Sequence, residues 1–420
     1  MSRSLKIESK LIPKVKMAVK RNCFPSQRAL AIELGLAIST VGNFLRGNPV
    51  DYLNFVEISE KLGLDWQEIA AEPEDNSDLA QGKNSSPPAF YVERPPIETD
   101  CFQTIRQSGA LLRIKGAQQM GKTRLMHRVL DYAKEQGGET VTLSFELADQ
   151  AVFLDLEKFS QWFCVAVGKK LGLPNQLADY WEDMLASNYN TTSYFQDYLL
   201  TKITRPLILA LDKVDLVFEH EEIATDFCKL LRNWHDQAKR GDRYSEIWQK
   251  LRLVIVHATE IYGSLDINTS PLAGVGVVIA LPEFNPEQLQ NLAQQHGLTL
   301  DVAEIEQLMS LVGGHPYLLQ LALEQIKHQN LTLARLLAEA PTEAGIYSNH
   351  LRQQLGNLQQ HPELAKSFRE VVTRENPVEL KPVVAFKLQS MGLVKLEGNV
   401  AKARCQLYRK YFPSRLRDEE

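Results

Sequence analysis

Between Leu111 and Leu130 the chain reads LLRIKGAQQMGKTRLMHRVL, an apolar run followed by the loop GAQQMGKT and then by a stretch of helical periodicity. Gly116 and Gly121 let the loop curl until consecutive backbone N–H groups face one anion. The helix that follows turns the positive end of its dipole to the same point. Lys122 is placed to reach the β- and γ-phosphates of a nucleotide, and the Thr123 hydroxyl to ligate Mg²⁺. Gln119, Met120 and Arg124 complete the loop and its exit and count with these as nucleotide-binding residues. The chemistry this spacing serves is binding of a nucleoside triphosphate.

A second segment supplies the metal side. PLILALDKVD, residues 206–215, is an apolar run ending in Asp212. At the carboxyl end of a buried strand beside the phosphate loop, that carboxylate can hold the Mg²⁺ shell. No competing centre stands out: the nine histidines form no ligand pattern and no GxSxG elbow occurs. The five cysteines, Cys23, Cys101, Cys164, Cys228 and Cys405, are scattered without a CxxC pair, which argues against a zinc site or a disulfide framework.

These groups need a scaffold, and the middle of the chain alternates strand and helix. Apolar strands are expected at 111–115, 140–145, 206–212, 251–257 and 277–281, which implies a parallel sheet covered on both faces. After the last strand, Asn285, Pro286 and Gln288 form a capping-box helix start. Glu72 to Phe90 is acidic and rich in Ser, Asn and Pro, a linker with almost nothing to bury. A second joint is expected at 340–345, where APTEAG interrupts helical periodicity.

The first 46 residues carry nine cations against Glu8 and Glu33, so this segment is +7 while the whole chain is −5. Ser26 to Leu34 reads as a helix, Gly35 as a turn and Ser39 to Arg46 as a second helix, the spacing of a helix-turn-helix. Leu30, Leu34, Val41, Phe44 and Leu45 would pack the two together. Arg28, Ser39, Thr40, Asn43 and Arg46 are the candidate DNA contacts, polar groups suited to base edges and phosphates. A helical module for protein contacts is the alternative.

Taken together, YVERPPIE (Tyr91 to Glu98), GAQQMGKT, LALDKVDLVF, RLVIVHATE (Arg252 to Glu260) and GGHPYLLQLAL (Gly313 to Leu323) resemble the AAA+ and STAND P-loop ATPases, most closely an AAA-like family common in cyanobacterial proteins. The resemblance covers about residues 90 to 330. It implies a multidomain α/β protein whose ASCE-type core has sheet order 5-1-4-3-2 and a helical lid. It also implies that Tyr91, Val92 and Arg94 border the adenine and that Pro316 packs on the nucleotide. One departure stands out: such sites usually place Glu after the metal-side Asp, to orient the attacking water, and this chain has Lys213. An ammonium cannot take that proton at neutral pH. Asp215 is the candidate replacement, and slow or absent hydrolysis is the alternative. His257 and Thr259 end the fourth strand, where a γ-phosphate sensor sits in such proteins. Arg232, Arg240 and Arg243 are candidates for an arginine finger.

The C-terminal stretch has helices at 349–357 and 361–374 and then a hairpin turning at Gly398 and Asn399. Helices followed by a hairpin suggest a winged helix, similar to C-terminal modules of STAND and origin-recognition ATPases. Lys395, Lys402, Arg404, Arg409 and Lys410 make its edge basic, either for DNA or for closing over the nucleotide, the second being preferred. Asp418, Glu419 and Glu420 end the chain as an acidic tail.

The expected plan is an all-α helix-turn-helix domain over 1–72, a linker over 73–90, an ATPase core over 91–285, a lid over 286–345 and a winged helix over 346–420. Apolar and charged fractions of 44% and 24% are those of a globular protein, and no apolar run is long enough to span a bilayer, so a cytoplasmic location is expected. The function expected is an ATP- and Mg²⁺-dependent switch, bound to duplex DNA and able to self-assemble through its ATPase domain. The alternatives are an adaptor with a non-hydrolysing site and a DNA-remodelling ATPase.

Overall fold

The computed structural model describes residues 4–8, 11–21, 30–31, 34, 38–62, 64, 91–258, 271–328 and 331–416. The chain forms two units, 1–88 and 89–420.

In the first unit, helices Ile12–Arg21, Ile38–Arg46 and Tyr52–Lys61 surround one apolar cluster. Leu30, Val41, Phe44 and Leu45 are buried in it and Leu34 packs against it, as their spacing required. Phe44 meets Phe55 edge to face at 5.0 Å. Ser4–Leu5 pairs antiparallel with Val50–Asp51. Most of the expected first helix, with Arg28, lies outside the described residues, as does the expected linker.

The second unit is built on a parallel sheet of β1 (Leu111–Gly116), β2 (Glu139–Ser144), β3 (Leu207–Asp212), β4 (Leu251–Ala258) and β5 (Val277–Ala280). Its spatial order is β2-β3-β4-β1-β5, which from the other edge reads 5-1-4-3-2. Side-chain alternation explains why β3 is buried along its whole length. Ile208 and Ala210 join the core beneath α1 (Ile97–Arg106) and α2 (Lys122–Glu135), while Leu207, Leu209 and Leu211 join that beneath α3 (Leu156–Lys170) and α4 (Glu221–Gln237).

The chain then turns helical: α5 (Pro286–Gln295), α6 (Val302–Val312) and α7 (Pro316–Lys327). Asn285 and Gln288 form the expected capping box, and Asp301 and Glu304 form another at α6. Helices α8 (Ser348–Gln359) and α9 (Pro362–Thr373) lead to β6 (Val378–Glu379), α10 (Pro382–Ser390), β7 (Val394–Glu397) and β8 (Val400–Ala403), with α11 (Gln406–Tyr411) last. The three strands form an antiparallel sheet of order β6-β8-β7, and Gly398, at φ 61°, makes the tight turn between β7 and β8. One apolar core runs through both sides of residue 345, joining Leu289, Leu308 and Leu319 to Leu351, Phe368 and Tyr408. In the APTEAG segment Ala340 and Gly345 are buried, while Thr342, Glu343 and Ala344 are exposed.

Close backbone approach sets the start of α7. The Phe284 N–H donates to Gly314 O at 2.8 Å, and a Cβ on Gly314 would stand 2.0 Å from Phe284 O. We expect Gly314→Ala to cost about 2 kcal/mol or more. Gly356→Ala, inside α8 with open space around it, should gain about 0.5–1 kcal/mol. Urea unfolding measures both, and a neutral Gly314→Ala would show that α7 is not held against Phe284.

Candidate functional site

Strand β1 ends at Gly116, and the loop to α2 adopts the backbone an anion cradle requires. Gln119 and Gly121 sit at φ 60° and 92°, the left-handed region that turns successive N–H groups to one side. A Cβ on Gly121 would crowd Arg94 Nη2 at 3.3 Å, so glycine suits the spacing as well as the φ. Lys122 Nζ donates to Gly116 O and Ala117 O at 2.9 and 2.8 Å, folding its ammonium over the loop.

Thr123, the second residue of α2, meets the end of β3. Its hydroxyl donates to Asp212 Oδ2 at 3.2 Å, and the Lys213 N–H donates to Asp212 Oδ1 at 3.0 Å. Asp212 is 8% exposed, and burial raises its carboxyl above the usual range despite these donors and the Lys213 charge. A hydroxyl and an ionisable carboxylate on neighbouring elements fit Mg²⁺, a hard cation that takes its remaining ligands from phosphate and water. Among the described residues no group of three or more His, Cys, Asp or Glu forms a fuller metal cage.

Arg94 lies beneath the same loop. Its Nη2 donates to Met120 O at 3.0 Å, and the guanidinium covers the Phe284 ring at 4.6 Å. Its Nε and Nη1 are buried without a partner, donors that suit an anionic ligand. Glu98, which sequence reasoning overlooked, anchors this segment. It accepts from the Tyr91 hydroxyl at 2.6 Å and from the Arg94 N–H at 2.9 and 3.0 Å. Burial, then the Glu98 hydrogen bond, raises the Tyr91 phenol. Tyr91, Val92, Glu93 and Pro95 line a cleft of 430 Å³ with Glu287, Gln288, Asn291 and Gln295 of α5. Pro316 is buried at the first turn of α7 and does not line this cleft.

The remaining expected residues are placed variously. Asp215 Oδ1 accepts from the Ala258 N–H at 3.0 Å, tying the ends of β3 and β4 together. His257 is buried and held neutral, its pKa pushed down to about 4 chiefly by burial; Thr259 lies outside the described residues. Arg232, Arg240 and Arg243 each bond locally, to Pro271 O, Asn233 and Tyr244. In the first unit, Arg46 is exposed and donates to Asn43 Oδ1 at 2.9 Å, and Thr40 is half-buried on the same helix; of Ser39 only the backbone is described.

Two of the C-terminal basic residues lie on the phosphate-loop side, as the preferred reading of that edge expected. Arg404 pairs through Nε with Glu283, and its Nη2 lies 4.0 Å from Met120 Sδ in the phosphate loop. Lys395 reaches the other Glu283 oxygen at 2.6 Å. Burial works to raise that carboxyl, but Arg404 and then Lys395 hold it below the usual range. Gln353 Nε2 donates to Gln118 Oε1 at 3.1 Å, and the buried His315 hydrogen-bonds to the Gln118 backbone. His350, 5.5 Å from His315 between ring centres, shares a 2.8 Å hydrogen bond with the Tyr408 hydroxyl. Nothing in the local sequence could have paired Glu283 with Arg404, 121 residues away.

A parallel sheet with a glycine loop after β1, Thr123 over Asp212 and helices on both faces defines a P-loop ATPase core. The chain belongs to the AAA-like domain family, whose model matches residues 79–414. No curated protein matches the sequence. Among solved structures, the Walker-type ATPase PABY2304 of Pyrococcus abyssi aligns with a TM-score of 0.53 at 14% identity, over 76% of this chain and 95% of that one. The Aeropyrum pernix ORC1 protein in complex with DNA aligns with a TM-score of 0.39 at 13% identity, over 77% and 92%. Domain III of the Thermotoga maritima replication initiation protein DnaA aligns with a TM-score of 0.36 at 14% identity, over 58% and 91%.

Because the folded-state carboxyl of Asp212 titrates above its unfolded value, its ionisation costs stability above that folded pKa and nothing below the unfolded one. Asp212→Asn should therefore raise the Tm of the nucleotide-free protein near neutral pH by about 1–3 °C. The gain should fade on acidification. A Tm difference independent of pH would refute the assignment.

Proposed function

We propose that this protein is a nucleotide-operated switch. ATP with Mg²⁺ binds at the P-loop, with Thr123 and Asp212 on the metal side, Lys122 and the loop N–H groups on the phosphates, and Tyr91, Val92 and Arg94 toward the base. Bound Mg²⁺ would supply charge neutralisation at the phosphates. Asp215 and Thr259, at and just beyond the adjoining ends of β3 and β4, are proposed to face the γ-phosphate, and Pro316 to follow the lid onto the nucleotide.

The observation that carries the switch is direct contact between the C-terminal region and the phosphate loop. Arg404 touches Met120, Gln353 touches Gln118, and His315 bonds to the Gln118 backbone. A phosphate that reshapes the loop must disturb these contacts, so nucleotide state and the orientation of α8 to α11 are coupled. The helices and three-stranded sheet at 346–416 suit a winged helix, and the commitment of Arg404 and Lys395 to Glu283 favours a regulatory role over a DNA contact. Change in this region would expose surfaces for self-assembly. Lys213 favours a second reading, an adaptor that holds nucleotide without turning it over. Among the described residues no helix is long and apolar enough to cross a membrane.

Lys122→Ala should weaken Mg-ATP binding at least about tenfold, and wild-type affinity in that variant would remove the nucleotide reading. Arg404→Ala should speed release of a fluorescent ADP at least about fivefold, because it frees the C-terminal region from the loop. An unchanged rate would refute the coupling.

For the first unit we propose duplex DNA as partner, through Arg28, Ser39, Thr40, Asn43 and Arg46. Affinity of the full chain for duplex DNA should fall steeply with salt, with a log–log slope of about −0.9 per phosphate neutralised, and Arg46→Ala should lower that slope by about one. Salt-insensitive binding would place this unit among protein-contact modules.

A further inference from the structure

We propose that Glu146, on the turn after β2, is the catalytic carboxylate that orients and deprotonates the attacking water when ATP is hydrolysed at this site. The inference rests on the P-loop reading above and deepens it. Lys213 stands where AAA-like sites usually carry an acid, and the structure brings an acid to it from the next strand.

Two observations converge. The parallel register pairs Ser144 with Asp212, so the turn Phe145–Leu147 leaves the sheet at the same carboxyl edge as the metal-side Asp, one strand over. Lys213 adopts φ 59°, a left-handed backbone seldom taken by a long side chain, and its ammonium meets Glu146 Oε1 at 3.1 Å. The ion pair ties the Glu146 carboxylate to the residue that follows Asp212.

The other acids at this edge are engaged. Asp212 accepts from Thr123 and from the Lys213 N–H, and Asp215 accepts from the Ala258 N–H. The Glu146 side chain is 58% exposed, open to water on one side and held by Lys213 on the other. In the step, the water oxygen bonds to the γ-phosphorus while the bond from that phosphorus to the β,γ-bridging oxygen breaks. The electron pair of the broken bond leaves with the diphosphate, the water proton passes to the Glu146 carboxylate, and Glu146 then returns it to solvent.

The test uses the full chain and Glu146→Gln, an exposed and nearly isosteric change. Expected are Mg-ADP affinity within about threefold of wild type, steady-state ATP turnover lowered at least about thirtyfold, and binding of Mg-ADP-aluminium fluoride, a transition-state mimic, weakened at least about tenfold. Wild-type turnover and mimic binding in Glu146→Gln would overturn the assignment, as would a wild-type protein that binds Mg-ADP yet never hydrolyses ATP. Lys122→Ala separates the two levels. If it still binds Mg-ADP like wild type, the P-loop reading itself fails; if it loses binding while Glu146→Gln behaves as wild type, only the role of Glu146 falls.

Discussion

A loop that offers several backbone N–H groups to one anion cannot satisfy them internally, and this requirement organises the second unit. The loop must be stretched between a rigid strand and the start of a helix, with a carboxylate close enough to share a cation. Here β1 supplies the strand, α2 the helix and β3 the carboxylate, joined where the Thr123 hydroxyl meets Asp212. Placing β1 between β4 and β5 puts the loop over the interior of the sheet rather than its edge. The two apolar cores on opposite faces of β3 keep that geometry from drifting.

The same site gathers buried charge, which apolar surroundings penalise unless it is paired. Arg94, Asp212 and Glu283 each find partners from a distant part of the chain: Met120 O, Thr123 and Arg404. Such pairs make poor general-purpose glue, because one partner without the other leaves an uncompensated charge. They make effective couplings for that reason. Glu283, just after β5, holds two cations from the C-terminal sheet, and Arg404 in turn rests on the loop that faces the ligand. Residues on both sides of this contact, from Leu289 to Phe412, share one apolar core.

Much of this was legible in the chain because it is local. The strands appear within a residue or so of where apolar runs placed them, and the Asn285 capping box and the Gly398 turn form as their residue types require. Lys122, Thr123 and Asp212 come together because loop, helix start and strand end are each short-range features on one sheet edge. Other elements were not legible. Spacing offered Asp215 as the substitute acid, but not that its Oδ1 accepts from the Ala258 N–H at the end of β4. Arg404 read as part of a basic edge, and its particular partner, Glu283, was not readable. The APTEAG interruption did not show that one apolar core includes residues on both sides of it.

Residue types and spacing by themselves determined a phosphate loop, a carboxylate at a strand end, the strand and helix alternation and a basic N-terminal segment, since each depends on neighbours within a few positions. Tertiary structure alone decided which charges meet: Glu146 with Lys213, Glu283 with Arg404 and Lys395, Gln118 with Gln353. The physical reason is that ion pairs and side-chain hydrogen bonds act over a few ångströms of space and carry no periodicity. Strand order and packing choose the partners, and in this chain they bring the C-terminal region into contact with the phosphate loop.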